Sequence, residues 1–170
     1  MTKYQMATVL IVEDNAGVRA ALNDLLRASG FRTLTARDGA SALACLRASH
    51  MPMVVLLDVM LPTASGLAVL NAVDADPALA RHCAVVVLTA HPKRGAEIAD
   101  LRARWTASGT PARGAAPAVS ASVLSCVLVK PLTLRQLTPA ITGAADHLAA
   151  RSTPDASVYG GASAHEGESQ

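Results

Sequence analysis

Met53-Val54-Val55-Leu56-Leu57-Asp58-Val59-Met60-Leu61-Pro62 decides the fold. Its first five residues are apolar without alternation, the pattern of a strand buried on both faces, as in a parallel sheet. The run ends in a carboxylate, and Pro62 and Gly66 break the loop after it. The same design recurs on either side. Met6 to Val12 ends in Glu13-Asp14, Ala84 to Leu88 ends at Thr89, and Val123 to Val129 ends at Lys130-Pro131. A shorter strand lies near Arg32 to Ala36.

Helical patterns separate these strands. Asn15 is placed to cap a helix in which Val18, Ala21, Leu22, Leu25 and Leu26 recur at helical spacing, and Gly30 sits where a helix prefers a left-handed terminator. Asp38-Gly39 opens a second helix with Leu43 and Leu46 inward. Leu67 to Val73 is a third, stopped near Pro77, and Lys93 to Trp105 a fourth, with Ile98, Leu101 and Trp105 on one face. Thr133 opens a last helix through about Ala150, with Pro139 and Gly143 weakening its middle. Five strands alternating with five helices give a three-layer α/β parallel sheet with right-handed crossovers.

The composition agrees with one folded domain. The chain has 170 residues, 51% hydrophobic but 2% aromatic, with 16% charged and a formal net charge of +2. That length supports a core without disulfides or a structural metal. The longest apolar stretch, Met51 to Leu61, is cut by Pro52 and Asp58, so no segment offers the roughly 18 uncharged residues of a spanning helix, and no membrane insertion is expected. The first apolar run is too short for a secretory signal and ends in two acids, which makes a cytoplasmic location the simplest expectation. Cys45, Cys83 and Cys126 form no C-x-x-C pair and read as small buried thiols. The net charge is too small, and a helix-turn-helix too clearly missing, to argue for direct nucleic-acid binding.

Two segments break the rhythm. Thr106 to Ser122 is rich in Ala, Ser, Pro and Gly and reads as a loop of about 106–122 inserted before the fifth strand. Positions 151–170 are polar and Gly/Ser-rich and read as a disordered tail, which leaves 6–150 as the folded domain. The bland reading of the insertion is a floppy loop. The alternative is a docking element carrying Arg102, Arg104 and Arg113 beside it, testable by deleting Thr106 to Ser122 and measuring partner affinity.

In an open parallel sheet the ligand site lies beyond the carboxyl ends of the strands. Glu13, Asp14, Asp58, Thr89 and Lys130 converge there. Each alone has a bland reading, since an acidic pair is usually a solvated loop, a strand-end Thr a backbone partner, and a Lys before Pro a surface residue. Together they differ. Three close carboxylates repel one another unless a cation sits among them, and an all-oxygen site with open water positions suits Mg²⁺. Lys130 and Thr89 add a positive charge and a donor beside Asp58, an arrangement for holding a phosphoryl group.

These residues resemble the receiver domain of two-component response regulators. The matching pieces are Val9-Leu10-Ile11-Val12-Glu13-Asp14-Asn15, Leu56-Leu57-Asp58-Val59-Met60-Leu61-Pro62 with Gly66, Val86-Val87-Leu88-Thr89-Ala90, and Val127-Leu128-Val129-Lys130-Pro131-Leu132. The resemblance implies a flavodoxin-like, doubly wound five-stranded sheet of order 2-1-3-4-5. It implies that Asp58 accepts a phosphoryl group from a sensor histidine kinase or a histidine phosphotransfer protein. It assigns Glu13, Asp14, Asp58 and the backbone carbonyl of Met60 to Mg²⁺, and Thr89 and Lys130 to the phosphoryl oxygens. A cis bond before Pro131 is implied too, and small Ala90 leaves room for the group to enter. The expected product is a stand-alone signalling protein with an unidentified downstream protein target, which assists its own phosphorylation and dephosphorylation and is not a dedicated enzyme.

The chain departs from the family at two places. Val127 stands where an aromatic side chain commonly moves in concert with the Thr, and Thr89 and Lys130 lie 41 positions apart, about twice the usual separation. His91, two positions after Thr89, reads as a loop residue or as a base acting on the acyl phosphate. A phosphorylation-independent receiver-like interaction module therefore stands as the alternative. Other α/β enzymes fit less well: an aspartyl phosphatase wants a second Asp where Met60 stands, and a P-loop wants Lys and Ser/Thr after Gly109 to Gly114.

Overall fold

The computed structural model describes residues 7–62, 66–91 and 123–152. The expected insertion at 106–122, the helix expected from Lys93 to Trp105 and the tail beyond 152 lie outside these residues. Five parallel strands form the sheet: β1 (Thr8–Val12), β2 (Arg32–Ala36), β3 (Met53–Asp58), β4 (Cys83–Thr89) and β5 (Leu124–Val129). Their order is β2-β1-β3-β4-β5, as the resemblance implied.

The unbroken apolar runs of β1, β3 and β4 follow from burial on both sides. Alternate residues of each strand enter opposite cores. On one face Leu10, Val12, Val55, Leu57, Val85 and Val87 pack with helices α2 (Gly39–Ala48), α3 (Gly66–Ala75) and α4 (Pro77–His82), through Leu46, Leu70, Val73 and Leu79. On the other, Val9, Ile11, Val54, Leu56, Val86 and Leu88 meet α1 (Ala16–Ala28) and α5 (Leu134–Ser152), through Leu22, Leu26, Leu137 and Ile141. The only Phe, Phe31, closes this second core as β2 begins.

Local chemistry explains the boundaries. The Asn15 side chain accepts from the N–H groups of Gly17 and Val18 and caps α1. Gly30, at φ 89°, supplies the left-handed turn after it. Asp38 and Ser41 form a reciprocal capping box at α2. Pro77, expected to stop α3, also opens α4: it occupies the first helical turn, where a missing N–H costs nothing, and Asp76 caps it. α5 runs unbroken through Pro139, contrary to the weak middle expected from sequence. An interior proline costs about 3 kcal/mol, whereas Leu137, Ile141 and Leu148 are each at most 2% exposed, and each such side chain contributes about 1.5–3 kcal/mol on burial. Packing wins. The Thr142 hydroxyl donates back to the carbonyls of Thr138 and Pro139.

Candidate functional site

Strand register brings the polar residues together. Val12 pairs with Leu57, Asp58 with Leu88, and Thr89 with Val129, so β1, β3, β4 and β5 end on one level. Glu13, Asp58, Thr89 and Lys130 are the strand-end or next residues, at the edge where β1 is flanked by β2 and β3 and the chain's winding reverses.

Lys130 bridges the two buried acids. Its Nζ donates to Glu13 Oε2 at 2.7 Å and to Asp58 Oδ2 at 2.5 Å. The other Asp58 oxygen, Oδ1, accepts the Met60 N–H at 2.8 Å, while Glu13 Oε1 accepts the Asn15 N–H at 3.3 Å. Both carboxylates are thus fixed at two points. Burial pushes the Asp58 carboxyl up, but hydrogen bonds from Lys130 and Met60 outweigh it and leave Asp58 below its ordinary value. Glu13 ends above its own, because burial and neighbouring Asp58 together exceed what Lys130 offsets. Burial disfavours the Lys130 ammonium, yet its two carboxylate partners hold it charged beyond the ordinary range.

Asp14 completes an acidic trio. One oxygen from each of Glu13, Asp14 and Asp58 lies within 4.8 Å of the others, with Glu13 and Asp58 buried and Asp14 exposed. The donor set is all carboxylate, it is open on the Asp14 side, and it fits a hard divalent cation. Met60 follows Asp58 in the same turn and is 47% exposed.

Gly66 is demanded by this loop. A Cβ there would lie 2.3 Å from the Asp58 carbonyl oxygen and 2.8 Å from Val59 Cα. Its N–H donates to the Val59 carbonyl at 3.0 Å, tying the start of α3 to the turn that carries Asp58.

Thr89 is fully buried, and its hydroxyl is engaged within its own loop. It accepts the His91 N–H at 3.1 Å and donates to the His91 carbonyl at 3.2 Å. Ala90 and His91 are exposed beside it. Val127, half-buried, packs against the core cluster on the α2–α3 face, so this position presents a small side chain committed to the interior. The Lys130-Pro131 peptide is cis.

Arg19 carries no signal in the residue pattern. Its Nη1 donates to the carbonyls of Glu13 at 2.7 Å and Asp14 at 3.0 Å. Beside Lys130 opens an apolar groove of about 370 Å³ between α1 and the β5–α5 loop, lined by Val18, Ala21, Leu22, Leu25, Pro131 and Leu132. A larger cavity, about 490 Å³, lies at the opposite, amino end of the strands and contains none of these chemical groups.

Comparison with known proteins agrees with this geometry. The family model described as "Response regulator receiver domain" matches residues 9–105. The polar-differentiation response regulator DivK of Brucella anthropi is 40% identical over 90 residues, 53% of this chain and 72% of that protein. Among solved structures, a response regulator receiver domain protein from Clostridium thermocellum superposes with a TM-score of 0.65 at 22% identity, covering 84% of this chain and 96% of its own. Response regulator protein TrrA from Thermotoga maritima, in complex with Mg²⁺-BeF, gives 0.61 at 20%, covering 82% and 99%. The matched sequence, the strand order and the acidic edge with its lysine lead to one conclusion: this chain belongs to the response regulator receiver domain family.

Proposed function

We propose that the protein accepts a phosphoryl group on Asp58, with Mg²⁺ as the cofactor, and transmits the change through protein contacts. One observation carries the reading: Asp58 is buried, kept ionised, aimed by Met60 N–H and Lys130, and grouped with two further carboxylates. The Thermotoga maritima protein, which has the same fold, is known in complex with Mg²⁺-BeF, which supports Mg²⁺ as the ion.

In this reading Glu13, Asp14, Asp58 and the Met60 carbonyl would hold the ion, which would supply positive charge to the phosphoryl oxygens. Asp58 Oδ forms a bond to phosphorus as the bond to a donor histidine nitrogen breaks, and the electron pair stays on the imidazole. Phosphoryl transfer needs positioning and charge neutralisation above all, and a fixed carboxylate beside an ammonium provides both. Lys130 exchanges its carboxylate partners for the new oxygens. Thr89 exchanges the His91 carbonyl for one of them, which pulls the loop after β4 inward and alters the adjoining surface. Val127, without a ring, leaves this loop movement as the principal output.

The donor is a sensor histidine kinase or a histidine phosphotransfer protein. The groove of Val18, Leu22, Leu25 and Leu132 ends at Lys130 and offers such a donor apolar surface next to Asp58. This reading places the meeting with the donor in the cytoplasm. The protein assists its own phosphorylation and dephosphorylation and turns over no separate substrate. Incubation with acetyl phosphate and Mg²⁺, followed by intact mass, tests the reading. Wild type should gain one phosphoryl group and Asp58→Asn none. No uptake by either protein would leave the phosphorylation-independent docking module as the better account.

A further inference from the structure

We infer that Arg19 is a positioning residue for the cation site, holding the Glu13-Asp14 backbone in its ligating shape. This rests on the functional reading above. Glu13 is pinned on both sides of its backbone: its N–H donates to the Ala36 carbonyl at 3.2 Å, and its carbonyl accepts Arg19 Nη1 at 2.7 Å. The same Nη1 reaches the Asp14 carbonyl at 3.0 Å. One guanidinium nitrogen thus fixes two consecutive peptide planes, and those planes set where the Glu13 and Asp14 side chains project. The effect matters most for Asp14. It is exposed, so packing cannot hold it, and only its backbone keeps its carboxylate within 4.8 Å of Glu13 and Asp58.

Arg19 is itself well placed for this task. It is half-buried and stands one turn into α1, and its own N–H donates to the carbonyl of the capping residue Asn15 at 2.9 Å. Its planar fork loses little freedom in holding a fixed pair of acceptors. Among the described residues it makes no ion pair with Glu13, Asp14 or Asp58. Its target is the main chain.

Charge and position predict opposite signs, which makes the inference testable. Arg19 is a cation beside a cation site. If its charge were what mattered, removing it would tighten Mg²⁺ binding. If it positions the ligands, removal weakens binding, on the scale of about 10–100-fold seen when partners behind metal ligands are lost.

The experiment is titration calorimetry with Mg²⁺ on wild type, Arg19→Ala, Arg19→Lys and Arg27→Ala, with acetyl phosphate uptake measured across Mg²⁺ concentrations. Arg27 lies in the last turn of α1 and removes the same charge from the same helix away from the loop. Arg19→Ala should raise the Mg²⁺ dissociation constant by about 10–100-fold, Arg19→Lys should fall between it and wild type, and Arg27→Ala should match wild type. At saturating Mg²⁺ the uptake rate of Arg19→Ala should return to near the wild-type value, as expected when only ligand placement is lost. Metal-free circular dichroism checks folding, and if Arg19→Ala fails to fold, Arg19→Gln, which keeps a donor, takes its place. Unchanged or tighter Mg²⁺ binding in Arg19→Ala, with normal binding by wild type, overturns the inference alone. No Mg²⁺ binding by wild type overturns the functional reading as well.

Discussion

Lys130 is the counterion that makes the buried acids tolerable. Its side chain is 24% exposed while those of Glu13 and Asp58 are 3% and 6% exposed, so its loss leaves two close carboxylates facing each other in a poorly solvated site. Lys130→Met should therefore lower metal-free stability, and Mg²⁺ should restore more of the loss than it adds to wild type, as thermal melts with and without the ion will show. The same variant should slow phosphoryl uptake by about 10²–10³-fold, the usual cost of removing one preorganised charge from a transferring group. These residues were legible in the sequence because each stands at a strand end, and strand ends can be read from apolar runs. Arg19 and the Thr89–His91 turn were not. Both act through hydrogen bonds to main-chain atoms, and residue types alone do not reveal the direction of a carbonyl.

Among the elements, the turn between β3 and α3 is the tightest constraint. Gly66→Ala forces its Cβ against the Asp58 carbonyl and Val59 Cα, both backbone atoms that cannot move aside. Denaturant titration should show a loss of about 1–3 kcal/mol, with slower phosphoryl uptake because the Asp58 turn shifts. At α2 the prediction concerns acid. The backbone N–H and hydroxyl of Ser41 hold the Asp38 carboxyl below its ordinary value of 3.8. A depressed acid stabilises the fold above its unfolded pKa, and that contribution fades as pH falls through the folded value. Asp38→Ala should thus be less stable than wild type near neutral pH, and the gap should close as a pH series passes downward through 3.8 and below. Element type was legible for β1, β3 and β4, because unbroken runs of Val, Leu and Ile leave little choice. α4 was missed since Pro77 reads equally as a stop and a start, and the continuity of α5 was missed because burial at Leu137 and Ile141 is a tertiary fact that a proline rule cannot see.

At the scale of the whole molecule, the sheet aligns groups far apart in sequence. Glu13, Asp58 and Lys130 are separated by 45 and 72 positions, and the register of four parallel strands places them on one edge within hydrogen-bonding reach. The order of the strands was legible through resemblance to a family; spacing alone gave only alternating strands and helices. Distances, the bridging of Glu13 and Asp58 by Lys130, and the resting partners of Thr89 needed the fold. The central claim is that this edge makes Asp58 the acceptor of a phosphoryl group. It is tested most directly by treating the protein with acetyl phosphate and Mg²⁺, trapping the acyl phosphate with hydride, and mapping the peptides by mass. The account predicts modification at Asp58 alone, abolished when Mg²⁺ is chelated; modification at another residue, or equal modification without the ion, would contradict it.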